Sequence, residues 1–133
     1  MLKKEIAYTD LNGAASTEVA YFNLMMPEVT RLTMKYGKKG NLQDGIQDMI
    51  ASDDGERMVD FIEETILKAY GRRVDSGKQF MKSKKATEEF EQSPAFAELF
   101  AELLMNPDAM RDFTSTLFSK TSAQNGPNEI KTN

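Results

Sequence analysis

The stretch Lys68-Ala-Tyr-Gly-Arg-Arg-Val-Asp-Ser-Gly-Lys-Gln-Phe-Met-Lys-Ser-Lys-Lys85 is where the fold class is settled. Read as a break between helices, it leaves a mainly α-helical chain with strands only at the N-terminus. Tyr70 then completes the apolar stripe Met58, Phe61, Ile62, Ile66, and Gly71 stops that helix. Val74 to Gly77 is a loop by composition, and a short helix follows from Lys84 to Gln92.

Charge is sorted around this stretch. It holds seven basic residues against Asp75 alone, a net +6. The residues before it, Asn41 to Leu67, carry eight acids and only Arg57, a net −7. Those after it, Ala86 to Phe118, carry seven acids and only Arg111, a net −6. The basic segment is therefore expected to balance its acidic neighbours. The other reading is a cationic surface, with Arg72, Arg73 and Lys78 as electrostatic contacts and Tyr70 and Phe80 stacking on bases. The acidic flanks and a net charge of −4 disfavour nucleic acid.

Toward the N-terminus, Lys3 to Thr9 and Ala15 to Phe22 flank Asp10-Leu11-Asn12-Gly13, a strong hairpin signal. A two-residue Asn12-Gly13 loop pairs Ile6 with Val19 and Tyr8 with Thr17, placing all four on one face. From Pro27 the chain reads helical. The first helix runs to Tyr36 before Gly37; Asn41 caps the second; Asp53 and Glu56 form a capping-box start for the third. Toward the C-terminus, Ser93-Pro94 and Asn106-Pro107 each open a helix with an aromatic stripe: Phe96, Leu99, Phe100 and Leu103, then Met110, Phe113, Leu117 and Phe118. The expected fold is mainly α, with an N-terminal β-hairpin (3–24) and about five or six helices (27–118) around a single core. Residues 119–133 are polar and expected to be a disordered tail.

At 133 residues a single domain with one apolar core is expected. Cysteine and histidine are both absent, which removes disulfides, thiolate chemistry, the usual zinc donors and the commonest general base. No cofactor or metal is expected. Gly71 to Lys78 is a poor phosphate loop: five residues separate its glycines, and Gln79 stands where Ser or Thr belongs. Tyr8 to Val19 fails as a calcium loop, with Tyr8 and Val19 at carboxylate positions. The pairs Asp53-Asp54, Glu63-Glu64 and Glu88-Glu89 point more than a quarter turn apart on a helix, so they do not meet as acid and base. An enzyme is the least expected class. No apolar run approaches the ~20 residues of a membrane span, and no apolar segment follows Lys3 and Lys4, so an intracellular protein is expected.

Nine methionines are many for this length. Met49, Met58 and Met110 fall on apolar stripes; Met25, Met26, Met34 and Met105 do not, and are candidate exposed contacts.

Several words of this chain, in order, resemble the tail assembly chaperones of long-tailed bacteriophages of Gram-positive hosts. They are Tyr8-Thr-Asp-Leu-Asn-Gly13, Tyr21-Phe-Asn-Leu24, Leu67-Lys-Ala-Tyr-Gly-Arg-Arg73, Asp75-Ser-Gly-Lys-Gln-Phe-Met-Lys-Ser83, Phe90-Glu-Gln-Ser-Pro-Ala-Phe96 and Leu99-Phe100. The resemblance spans most of residues 4 to 118, with Met25-Met26-Pro27-Glu28 departing from a more polar helix opening. It implies a non-enzymatic protein of the host cytoplasm, absent from the mature virion. Its implied client is the tape measure protein, kept soluble during tube assembly, with the major tail protein as a further partner. It also implies, in many members, a longer frameshifted form. Phe96, Phe100, Phe113, Phe118 and Met105 are the expected partner contacts, on the aromatic stripes near the end of the ordered chain. Self-association through the hairpin edge or that stripe is a further expectation. Two rivals stay open at this level: a structural neck or tail-completion protein, and a small nucleic-acid-binding regulator.

Overall fold

A computed structural model describes residues 1–74 and 76–119. The tail expected over 119–133 lies outside them, apart from Ser119. The elements run β1 (Leu2–Thr9), β2 (Ala15–Phe22), α1 (Met26–Tyr36), α2 (Leu42–Ser52), α3 (Gly55–Ala69), β3 (Tyr70–Val74), β4 (Gln79–Met81), α4 (Lys84–Glu91), α5 (Pro94–Met105) and α6 (Pro107–Ser119). Helices dominate, but the strands form one antiparallel sheet ordered β1-β2-β3-β4, so the expectation of a lone hairpin is corrected.

The hairpin forms where expected, with a different turn. Gly13 N–H donates to the Asp10 carbonyl at 2.9 Å, Asp10 N–H donates to the Ala14 carbonyl at 2.8 Å, and Gly13 is left-handed at φ +84°. This is a type I turn closed by a glycine bulge, a three-residue loop. The Asp10 carboxylate selects it by accepting the Ala14 and Asn12 amides, each at 2.9 Å, which hold its pKa below the ordinary value. The register therefore slips by one: Ile6 pairs with Glu18 and Tyr8 with Ser16, and Val19 turns outward, 44% exposed.

The basic stretch holds the second correction. α3 ends at Ala69, and Tyr70 begins a strand beside β2, with Phe22 opposite Tyr70 and Tyr21 opposite Gly71. Gly71 is a close approach and not a helix stop: a Cβ there would lie 2.5 Å from Phe80 Cζ and 2.7 Å from the Met81 carbonyl oxygen. Gly77 N–H donates to the Val74 carbonyl at 3.0 Å, and Ser76 and Gly77 both take positive φ. The chain thus turns back to pair Arg72 with Met81 and Arg73 with Phe80.

The helix starts follow local chemistry. Asn41 Oδ1 accepts the Asp44 amide at 2.9 Å, Ser93 Oγ the Phe96 amide at 3.2 Å, and Asn106 Oδ1 the Asp108 and Ala109 amides at 3.1 Å. The third helix is capped one residue later than expected. Asp54 accepts the Arg57 amide at 3.2 Å, while Asp53, left-handed at φ 57°, closes α2.

The core gathers on Phe22, which is fully buried and meets Tyr70, Phe90 and Phe113 edge-on at centroid distances of 6.0, 6.1 and 5.4 Å. Tyr70 and Phe90 stack in parallel at 4.1 Å. α5 lies along β1 and packs against α3, α4 and α6. No helix among the described residues covers the opposite side of the sheet, where the Arg73 guanidinium lies 5.2 Å over the Tyr21 ring.

Candidate functional site

The aromatic stripes of the last two helices divide between core and rim. Phe96 and Phe113 are buried, at 8% and 5% exposure. Phe96 meets Phe90 at 5.7 Å, and Phe113 meets Phe22. Phe100 and Phe118 are half-buried against the core, and Met105 is exposed. A groove lined by all four rings is therefore not formed; two of them hold the interior together.

The basic residues are partly spent on the fold. Arg72 donates to Glu89 at 2.9 Å and to the Tyr70 hydroxyl at 3.4 Å. Arg73 donates to the Gly77 carbonyl at 3.3 Å. Lys68 approaches Glu64 at 3.9 Å, and Lys82 meets Glu28 at 2.6 Å. The segment thus joins acids on both sides of it, which fits the balancing reading. Lys78 is exposed in the β3–β4 turn. Gly71 and Gly77 lie in a strand and a turn, so no phosphate cradle opens a helix here.

The adjacent carboxylates part company. Asp53 and Asp54 cap different helices; Glu64 is hydrogen-bonded while Glu63 is exposed; Glu89 pairs with Arg72. No group of three or more potential ligands that could hold a metal occurs among the described residues, and no described helix is long and apolar enough to cross a membrane.

An open cleft of about 620 Å³ lies between α1, α3 and α4, bordered by Tyr36, Leu67 and several charged side chains. Its organised feature is a three-residue network. The Tyr36 hydroxyl donates to Glu64 Oε1 at 2.8 Å, and Lys35 Nζ donates to the same oxygen at 2.9 Å. Burial first, then the bond to Glu64, pushes the Tyr36 phenol from 10.0 up to about 12. The unfolded chain releases that proton near 10.0 while the folded chain holds it to about 12, so this stabilisation is complete below pH 10 and is lost on rising to pH 12. Glu64 works at the other end. Burial raises its carboxyl, the bonds from Lys35 and Tyr36 outweigh burial, and the net pKa is lowered. Its contribution is present above the ordinary carboxylate range and is lost as pH falls through its folded value. Tyr36→Phe should therefore flatten the alkaline limb: its urea midpoint should fall less between about pH 9 and about pH 11.5 than that of the parent. Equal falls would remove Tyr36 as the cause.

The methionines separate as their spacing predicts. Met49, Met58 and Met110 are buried. Met25, Met26, Met34 and Met105 are exposed, at 43%, 41%, 81% and 79%. Met81, 51% exposed, joins them; it escaped the sequence reading because Gln79–Met81 is too short to show strand alternation. Such side chains are soft, unbranched and polarizable, suited to contact.

Comparison with curated proteins and with solved structures returns no match. A family model described as phage tail assembly chaperone matches residues 1–125. That match takes in every described element of this fold, and the chain belongs to the phage tail assembly chaperone family.

Proposed function

We propose that this chain binds the tape measure protein of a long-tailed phage and keeps it soluble in the cytoplasm of a Gram-positive host while the tail tube forms. It makes and breaks no bonds, and it leaves before the virion is complete. The observation that carries this reading is the set of exposed methionines on a family member that acts in tail assembly. A client that must stay soluble before the tube encloses it presents apolar helix faces, and methionine fits irregular apolar faces without a fixed shape. Phe100, Phe118 and Met105 supply a second apolar rim on α5 and α6, for the client or for the major tail protein. Arg72 and Arg73 on β3 and Lys78 in the β3–β4 turn supply positive charge.

Co-expression of the tape measure protein with and without this chain tests the reading. The soluble fraction of the client should rise when the chain is present, and purified particles should lack the chain. An unchanged soluble fraction, or the chain at fixed stoichiometry in mature particles, would overturn it.

A further inference from the structure

We infer that the methionine patch where α1 begins and β4 ends seats an acidic amphipathic helix, an assignment that rests on the client-binding reading above. One carboxylate organises the patch. Glu28 Oε1 accepts the Met25 backbone N–H at 2.9 Å and the Lys82 ammonium at 2.6 Å. This ion pair brings the start of α1, with Met25 and Met26, to the end of β4, where Met81 precedes Lys82, and all three methionines are exposed. Met26 and Met34 lie at i and i+8 on the solvent side of α1, with Thr30 between them, so the two methionines stand roughly 12 Å apart along the helix. That length matches two turns of a helix laid against it.

Charge selects the occupant. Lys84 and Lys85 fill the first turn of α4, immediately after its Ser83 cap, where the helix dipole is already positive. Arg31 is exposed on α1. None of these three cations has an ion-pair partner among the described residues. Glu28, one turn before Arg31 on α1, is already paired with Lys82. A chain with a net charge of −4 thus keeps, close in sequence to these methionines, three cations that make no ion pair among the described residues. A second copy seated here would set the same cations against each other. A nucleic acid would engage the cations and leave the methionines in water. A helix with one apolar face and acidic flanks satisfies both features.

The test uses the full chain and two labelled helical peptides of roughly 20 residues. They share one leucine stripe and differ only in flanking residues, glutamate in one and lysine in the other. Fluorescence anisotropy should show the glutamate peptide binding at least about tenfold more tightly, with the preference shrinking as salt rises. Met26→Glu with Met34→Glu should weaken it about tenfold. Lys84→Glu with Lys85→Glu should abolish the preference while leaving the melting temperature unchanged or higher, because acids suit a helix N-terminus. Equal binding of both peptides, no binding, or methionine variants indistinguishable from the parent would overturn the assignment. Methionine variants that only dissolve a self-associated form of the chain would also overturn it, pointing to a second copy. Co-expression separates the two levels of the argument. A parent chain that does not solubilise the tape measure protein sinks the function. A methionine variant that solubilises it as well as the parent sinks the patch alone.

Discussion

Phe22→Ala is expected to destabilise the fold by about 4 kcal/mol and to lower its melting temperature by about 15 °C. Phe22 is the last residue of β2 and has no exposed surface. Its ring is met edge-on by Tyr70 from β3, Phe90 from α4 and Phe113 from α6. Alanine would leave a cavity whose walls come from three separate elements. Those walls are pinned: Tyr70 by its pairing to Phe22 through the backbone and by its stack on Phe90, and Phe90 by its further contact with Phe96. Collapse is therefore restricted, and the cavity term adds to the lost transfer energy. Against a total stability of about 5–15 kcal/mol, such a loss leaves a sizeable unfolded fraction at growth temperature. Phe100→Ala is the comparison, since that ring is half-buried at the margin of the core and meets Phe96 at 6.0 Å. Its cost should be about 1–2 kcal/mol. Equal urea midpoints for the two variants would show that Phe22 is not the centre of the core.

The features legible in the sequence are those set by neighbours a few residues apart. Asn41, Ser93 and Asn106 cap helices because a short polar side chain reaches an amide two or three positions on. The apolar stripes of α3, α5 and α6 bury as their spacing requires, with Phe61, Leu99 and Met110 at the centre. The hairpin was legible and its register was not. Asn12-Gly13 permits a two-residue or a three-residue loop, and the choice is made by which amides the Asp10 carboxylate accepts. β3 and β4 were hidden for a different reason. Tyr70–Val74 carries a glycine and two arginines, no period-two pattern, and a first residue that also completes the α3 stripe. It becomes a strand because Phe22 and Tyr21, distant in sequence, offer it backbone partners. At the candidate site, the off-stripe methionines could be picked out, because a side chain that misses the buried stripe must face water. The same spacing could not tell rim from core among the phenylalanines. Phe96 and Phe100 occupy one stripe, and only the packing of α5 on α4 decides which of them is enclosed.

Gly45→Ala should cost about 3 kcal/mol even though alanine is the better helix former. Gly45 sits in the first half of α2, where glycine ordinarily weakens a helix by about 1 kcal/mol relative to alanine. Propensity alone would make the substitution stabilising. The position is instead the crossing point of α1 and α2. A Cβ there would run into the Tyr36 carbonyl oxygen and come within 2.7 Å of Gly37 Cα and 2.9 Å of the Tyr36 carbonyl carbon. These are backbone atoms and cannot swing aside as a side chain would. Relief requires α2 to move away from the end of α1, and that end also carries the Tyr36–Glu64 bond and the edge-on packing of Tyr36 on Phe61 at 5.1 Å. The backbone clash therefore exceeds the propensity gain. Gly55→Ala provides the internal control, because a Cβ at Gly55, the first residue of α3, meets nothing within 4 Å. That variant should be neutral or more stable by a few tenths of a kcal/mol. Urea titration of the two side by side reads the difference directly. Two variants with the same midpoint would mean that α1 and α2 do not approach closely at Gly45, and the packing described for the first half of the chain would have to be redrawn.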